Sequence, residues 1–321
     1  MSNIKVIGLG ALNMDHLYRV ERILTDGETV VKEPILAPGG SAANTIFGLA
    51  RLGVSTGFAG ATGDDEEGRM LVQDLAGVGV DTGQIRVKAG AKTGATLCLS
   101  DRHNSRSIYI MPGANSLLTS DDLALTYINR AEFLHISSFA DEAQFAVLLK
   151  LIDRLAPSVK LSFSPGALYA AKGLQTLAPV LARTYILFVN QSEIRQLTGQ
   201  DVSPGAQSCL ERGCRMVAVT LGPGARWQNV MAASYIRDTE DEYIVEPGKT
   251  DGASALDTTG AGDAFATGFI YGQLRGKGPG ECGELGHTVA RCSIAKVGAR
   301  PGLPTQNELS RRYRELYNKE L

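Results

Sequence analysis

The residues best suited to chemistry lie in the run Asp257-Thr258-Thr259-Gly260-Ala261-Gly262-Asp263. A Gly-Ala-Gly step opening directly onto an amphipathic stretch exposes unpaired backbone N–H groups beside the positive end of a helix dipole, which is a seat for an anion. Asp263 at that helix start reads either as a capping carboxylate or as a reacting group. The small residues on both sides favour the second reading, since a cap needs no glycine-lined approach.

Three further segments share this character. Pro38-Gly39-Gly40-Ser41-Ala42-Ala43-Asn44 again runs glycines into a helix, and taken alone it is a tight turn with Ser41 as cap. Asn13 and Asp15 strengthen it: spaced by two just beyond a first strand, their side chains point the same way. Amide and carboxylate groups there suit a polyhydroxylated ligand. Asn190-Gln191-Ser192-Glu193 and Thr220-Leu221-Gly222-Pro223-Gly224 each follow an apolar run, and locally they are a cap and a turn.

The elements that position these groups alternate between short apolar runs and longer amphipathic ones. Strands are expected at Ile4–Ala11, Phe133–Ser137, Lys160–Phe163, Tyr185–Val189 and Arg215–Thr220. Helices are expected at Ser41–Leu52, Glu66–Leu75, Asp141–Leu155, Gln191–Leu197, Ala261–Leu274 and Glu281–Lys296. Such alternation predicts an α/β body, a mainly parallel sheet covered by helices on both faces, with all four segments at the carboxyl edge where open sheets bind ligands.

Two stretches break the rhythm. Thr29–Leu36 and the hairpin Gly94–Ser100 with Arg106–Met111 predict a small β lid. The expected division is a body of residues 1–14, 37–91 and 114–321 and a discontinuous lid of residues 15–36 and 92–113.

Composition excludes several classes. The 321 residues are 44% hydrophobic and 21% charged, ordinary globular usage, and the formal net charge of −2 lacks the basic excess that nucleic-acid binding demands. No apolar run approaches the roughly 18 residues of a membrane span, and the opening residues lack a secretory pattern, so a cytoplasmic protein is expected. Five cysteines without a C-x-x-C pair argue for free thiols rather than a disulfide framework or zinc ribbon.

Familiar motifs fail. Gly248-Lys249-Thr250 has Tyr243 where a P-loop needs its first glycine. Gly8-Leu9-Gly10 has Asn13 where a dinucleotide fingerprint needs its third, against a nicotinamide-dependent dehydrogenase. The four histidines show no metal-ligand spacing, and no G-x-S-x-G elbow exists.

The four segments, in this order, closely resemble the ribokinase-like (PfkB) family of carbohydrate and nucleoside kinases, over essentially the whole chain. The resemblance implies a three-layer α/β/α body with a β-sheet lid, and an ATP-dependent phosphotransferase acting on an alcohol. It implies that Asp263 is the base and that the backbone of Gly260, Ala261 and Gly262 forms the anion hole. Asn13, Asp15, Gly39, Gly40 and Asn44 would hold the acceptor. Asn190, Glu193, Thr220, Gly222, Gly224 and His287 would contact ATP, with Glu193 positioning Mg²⁺ through water.

Asp257, Thr259 and Gly298 resemble a monovalent-cation site for K⁺, although Gly302 stands where ribokinases often have serine. The helix dipole is expected to depress the pKa of Asp263. The acceptor is expected to be a small sugar, with a nucleoside as the alternative, its base under the lid near Tyr109, Met111 or Phe139. Ser162-Phe163-Ser164-Pro165-Gly166 leans toward the nucleoside. A catalytically silent binder is disfavoured by the intact Asp263. Pairing of two copies through their lids is also implied.

Overall fold

Strands form where β-branched and aromatic residues crowd, and the computed structural model describes residues 4–31, 35–101, 106–227, 229–249 and 255–321. In chain order the strands are Val6–Leu9 (β1), Asn13–Arg19 (β2), Ile35–Gly39 (β3), Thr56–Gly63 (β4), Asp81–Lys88 (β5), Gly94–Ser100 (β6) and Arg106–Met111 (β7). Then follow Phe133–Ser137 (β8), Lys160–Ser164 (β9), Thr184–Asn190 (β10), Met216–Trp227 (β11), Val230–Asp238 (β12) and Glu242–Val245 (β13).

Nine strands make one sheet in the order β13-β12-β11-β10-β9-β8-β1-β4-β5. All neighbours from β11 to β5 are parallel, and β12 and β13 are added antiparallel at one edge. Period-two alternation sends successive side chains to opposite faces, so the sheet divides two cores. Ile7, Leu9, Leu134, Ile136 and Val217 belong to one, whereas Val6, Phe133, Ile186 and Ala218 belong to the other.

The remaining strands form a separate four-stranded sheet in the order β3-β2-β6-β7. Its β2 starts at Asn13, and β3 runs to Gly39, beyond residue 36, because Asn13 and Gly39 are themselves paired. Residues 29–31 form no strand, and residues 32–34 and the hairpin turn 102–105 lie outside the described residues.

Most expected elements of the body occur within two residues of their places, and three of the shifts have clear reasons. The first strand stops at Leu9 because the chain leaves the large sheet to enter the small one. The strand beginning at Met216 continues past Thr220, after a register shift, to Trp227, where β12 returns antiparallel to it. The helix expected from Glu281 starts at Pro279, whose fixed φ and missing N–H suit a first helical turn. Among the described residues no helix is long and apolar enough to cross a membrane, and all five cysteines are free.

Strand order reverses at β1: β4 and β5 extend to one side of it and β8 to β11 to the other. A crevice opens at such a switch point, at the carboxyl ends of the strands.

Candidate active site

The helix Ala261–Leu274 packs against the helix Ser41–Arg51 closely enough that a Cβ on Gly48 would meet Thr267. Thr267 Oγ1 donates both to the Asp263 carbonyl at 2.9 Å and to the Thr45 carbonyl at 3.2 Å, tying the two helix starts together. Their N-termini therefore converge, and Asp263 reaches across the gap. Its Oδ1 accepts from Ser41 Oγ at 2.7 Å and its Oδ2 from Asn44 Nδ2 at 2.9 Å.

This corrects two expectations. Ser41 is not the cap of its helix: Gly40 occupies that position, and the Ser41 hydroxyl turns to the carboxylate instead. Asp263, read as a reacting group in preference to a cap, caps nothing, because Gly260 is the residue at its helix start and both carboxylate oxygens face the other helix. The expected depression of the Asp263 pKa is also reversed. Burial raises it from 3.8 to about 6, and the Asp15 and Glu193 charges push the same way against the Asn44 and Ser41 hydrogen bonds. Loss of water around the carboxylate outweighs the dipole.

The approach to Asp263 is glycine-dependent. Gly260 has φ +73°, and a Cβ there would stand 2.5 Å from that of Ala299. Only glycine allows both the left-handed turn and the close pass of residues 298–300. Of the three N–H groups assigned to the anion hole, that of Ala261 bonds the Thr258 carbonyl at 3.2 Å. Gly262 lies one residue further into the helix, and a methyl on it would meet nothing within 4 Å, so its backbone borders open space.

On the small sheet, Asp15 Oδ1 accepts from Thr96 Oγ1 at 2.6 Å, and a Cβ on Gly39 would fall on the Asp15 carboxylate. Asn13 Oδ1 accepts from Asn115 Nδ2 at 2.9 Å, and Asn115 also bonds both backbone groups of Leu12. Asn13, Asp15, Gly39, Gly40, Asn44 and Asp263 are thus brought into one neighbourhood. Gly40, at φ +97°, has the Ala11 carbonyl where a Cβ would stand.

A second group gathers along the same edge. Asn190 pairs in register with Thr220. Asn190 and Glu193 form a reciprocal cap: Asn190 Oδ1 accepts from the N–H groups of Ser192 and Glu193, and Glu193 Oε2 accepts from the N–H of Asn190. Burial raises the pKa of Glu193. Gly222 and Gly224 carry the turn between the two segments of β11 with φ of +75° and +114°. His287 sits on the helix Pro279–Ser293, where its Nε2 lies 3.1 Å from the Pro247 carbonyl and therefore carries the proton. Burial, reinforced by Arg291, lowers its pKa to about 4, so the ring is neutral.

Asp257 ties two loops. Its Oδ1 accepts from Thr259 N–H and Oγ1 at 2.9 and 2.6 Å, and its Oδ2 accepts from Gly298 N–H at 2.9 Å. Among the described residues no group of three His, Cys, Asp or Glu side chains is placed to hold a metal.

Some sequence candidates fall elsewhere. Tyr109 and Met111 pair with Leu97 and Ala95, which places them on the face of the small sheet opposite Asp15. Phe139 is buried in the core, and Ser162 holds the buried His135 ring at 3.0 Å. A cleft of about 270 Å³ does open between the small sheet and the loop residues 255–259 and 297, lined by apolar Leu17, Ile35 and Leu256 and by polar Arg19, Asp101 and Asp257 among others.

Sequence reasoning missed Ser137, Thr96 and Arg300. Ser137 Oγ accepts the N–H of Ala42 at 3.1 Å, fixing the start of the helix that carries Asn44. No local pattern marks it, since its partner lies 95 residues away. Arg300 is 4% exposed and reaches Asn44, Gly39 and Asp74. A lone arginine inside the small-residue run Gly298–Gly302 was the available signal.

Comparison with known proteins places this geometry in context. Residues 3–306 match the pfkB family carbohydrate kinase pattern. The chain is 36% identical over 258 residues to an uncharacterized sugar kinase of Archaeoglobus fulgidus, covering 80% of this chain and 98% of the relative. It superposes on Arabidopsis thaliana ribokinase complexed with ribose and ATP with TM-score 0.80, at 23% identity over 97% of this chain and 99% of the other. It also superposes on a Burkholderia thailandensis nucleoside kinase in complex with inosine with TM-score 0.81, at 19% identity over 98% and 100%.

Proposed function

Because the chain belongs to the pfkB family of carbohydrate kinases and is a phosphotransferase acting on a hydroxyl group, we propose that it transfers the γ-phosphoryl group of Mg-ATP to a hydroxyl of a small sugar. The observation that carries this reading is the Asp263 carboxylate, held by Ser41 and Asn44 at a glycine-lined helix start across from Asp15 and Gly39.

In this reading Asp15 and Asn44 hold the acceptor and Asp263 takes the proton of the attacking hydroxyl. The new bond joins that oxygen to the γ-phosphorus, and the bond to the β–γ bridging oxygen breaks, leaving ADP. The transition state is loose, with charge on the equatorial oxygens, so the N–H groups of Gly260 and Gly262 would supply most of the protein's stabilisation, that of Ala261 being held by Thr258. A base that is ionised but weakly basic suffices for orientation and late proton uptake.

ATP would lie along Thr220, Gly222 and Gly224 with its base toward His287 and its phosphates toward Asn190. The donor set fits a hydrated Mg²⁺ carried by the phosphates, because Glu193 Oε1 is outside the capping bond that Oε2 makes. Mg²⁺ there neutralises phosphate charge. Asp257 and Thr259 fit a loop clamp better than a cation cage, since their polar atoms already bond one another and Gly298.

We take residues 15–36 and 92–113 as a lid whose closure over the rest excludes water, which otherwise competes as acceptor. Exposed Leu36, Tyr109 and Met111, on the lid face away from the cleft, make the surface on which two copies would pair, checked by sedimentation at micromolar concentration. A nucleoside acceptor is the second reading, favoured by the cleft beside the small sheet, whose apolar Leu17, Ile35, Leu256 and Val297 could face a base.

The test is ADP release from Mg-ATP across ribose, fructose, other sugars, adenosine, inosine and cytidine. Stimulation by one sugar supports the first reading and stimulation by a nucleoside the second. A chain that binds ATP but is stimulated by no acceptor would be a silent binder, against both.

A further inference from the structure

Arg300 lies on the loop after the helix Pro279–Ser293, 256 residues from Asn44 in sequence, and is among the few charged side chains buried in the protein. Its guanidinium uses all three nitrogens. Nε donates to Asn44 Oδ1 at 2.9 Å, Nη2 donates to the Gly39 carbonyl at 3.0 Å, and Nη1 pairs with Asp74. The group also stands 5.3 Å from the ring centre of Phe47.

An amide side chain presents a donor on one side and an acceptor on the other. A guanidinium can only donate, so Asn44 must turn its oxygen to Arg300 and its NH₂ to the Asp263 carboxylate, where the 2.9 Å bond is found. With the amide reversed, two acceptors and two sets of donors would face each other. The same fork fixes the carbonyl of Gly39, whose lack of a side chain admits the Asp15 carboxylate.

We propose that Arg300 is a positioning residue for phosphoryl transfer, orienting the Asn44 amide toward Asp263 and the Gly39 backbone toward the acceptor with one rigid fork. This deepens the kinase reading and rests on it. The charges that act most on Asp263 are Asp15 from β2 and Glu193 from the helix Gln191–Thr198; Arg300, itself balanced by Asp74, reaches it chiefly through the Asn44 amide. Arg300 alone among them is cationic, and removing it also frees the amide whose bond holds the carboxylate charge.

The test compares Arg300→Met and Arg300→Lys with the unaltered protein, in two measurements. The first is the pH profile of kcat/KM for the best acceptor. The second is a ¹³C-carboxyl NMR titration without substrates, with Asp263→Asn identifying the resonance.

Arg300→Met is expected to move both the acid limb and the resonance upward by about half a pH unit, as the freed Asn44 amide loosens its bond to the carboxylate. In an Asn44→Ala background its effect on the acceptor kcat/KM should shrink at least about threefold, since the amide it orients is gone and only its hold on Gly39 remains. Asp74 is 32% exposed and stays solvated without its partner, which favours folding of the variant. Should Arg300→Met not fold, Arg300→Lys decides: it keeps the charge but cannot reach Asn44 and Gly39 together. It is expected to lose about tenfold in acceptor kcat/KM with the KM for ATP within about twofold.

An unmoved limb and resonance in a folded variant, or parallel losses for both substrates, would make Arg300 a structural residue and overturn the proposal. Absence of phosphoryl transfer in the unaltered protein refutes the kinase reading instead, and the titration still decides whether Arg300 sets the state of Asp263.

Discussion

Asp263→Asn separates what the carboxylate does for chemistry from what it costs the fold. Its pKa rises from 3.8 to about 6 on folding. Two units correspond to about 3 kcal/mol of unfavourable free energy when the group is ionised, and about 2 kcal/mol after allowing for its opening onto the cleft. A raised carboxylate pKa means that the folded state holds the proton more tightly. The penalty is therefore fully present above pH 6 and is lost as pH falls below 4. Asparagine removes it and still satisfies both neighbours, since the Ser41 hydroxyl can accept where it now donates. The variant is expected to gain about 2 kcal/mol over the unaltered protein in urea unfolding at pH 7.5 and almost nothing at pH 4. Meanwhile ADP release with the best acceptor should drop at least about 100-fold in kcat, the lower end for loss of a general base. Retention of a tenth of kcat would remove Asp263 as the base, and a stability difference independent of pH would refute the account of its burial.

Three further outcomes follow from the same geometry. With Asp263 titrating near 6, kcat/KM for the acceptor should fall about tenfold between pH 7 and pH 5, and a flat profile there would contradict the carboxylate's role. Gly39→Ala puts a methyl on the Asp15 carboxylate, so the acceptor KM should rise at least about tenfold while ATP affinity measured by calorimetry changes less than about twofold. Because Asp257 is already engaged by Thr259 and Gly298, replacing K⁺ with Na⁺ should change the rate less than about twofold, and a larger effect would show that a cation completes that loop.

The parts of the fold legible in the sequence were those whose cause is local. Apolar runs such as Phe133–Ser137 and the Gly-Ala-Gly opening of the helix at Ala261 carry their own explanation, and strand order then brings their ends together. Ser41 shows where local reading stops. A serine before a helical run is a cap by every short-range rule, yet here the residue 222 positions away offers a charged acceptor at 2.7 Å. Asp263 repeats the lesson in its energetics: a first-turn aspartate should have a lowered pKa, but the packing of one helix start on another removes the water that would stabilise the charge. Arg300 was hidden for the converse reason. Its significance lies in three partners drawn from the end of β3, the helix Ser41–Arg51 and the helix Glu66–Gly77, and none shares a sequence pattern with it. A site assembled between two helix N-termini is thus announced in sequence by its glycines, which backbone geometry requires. The groups that bond and orient the Asp263 carboxylate come from far along the chain and become visible only when the two helices meet.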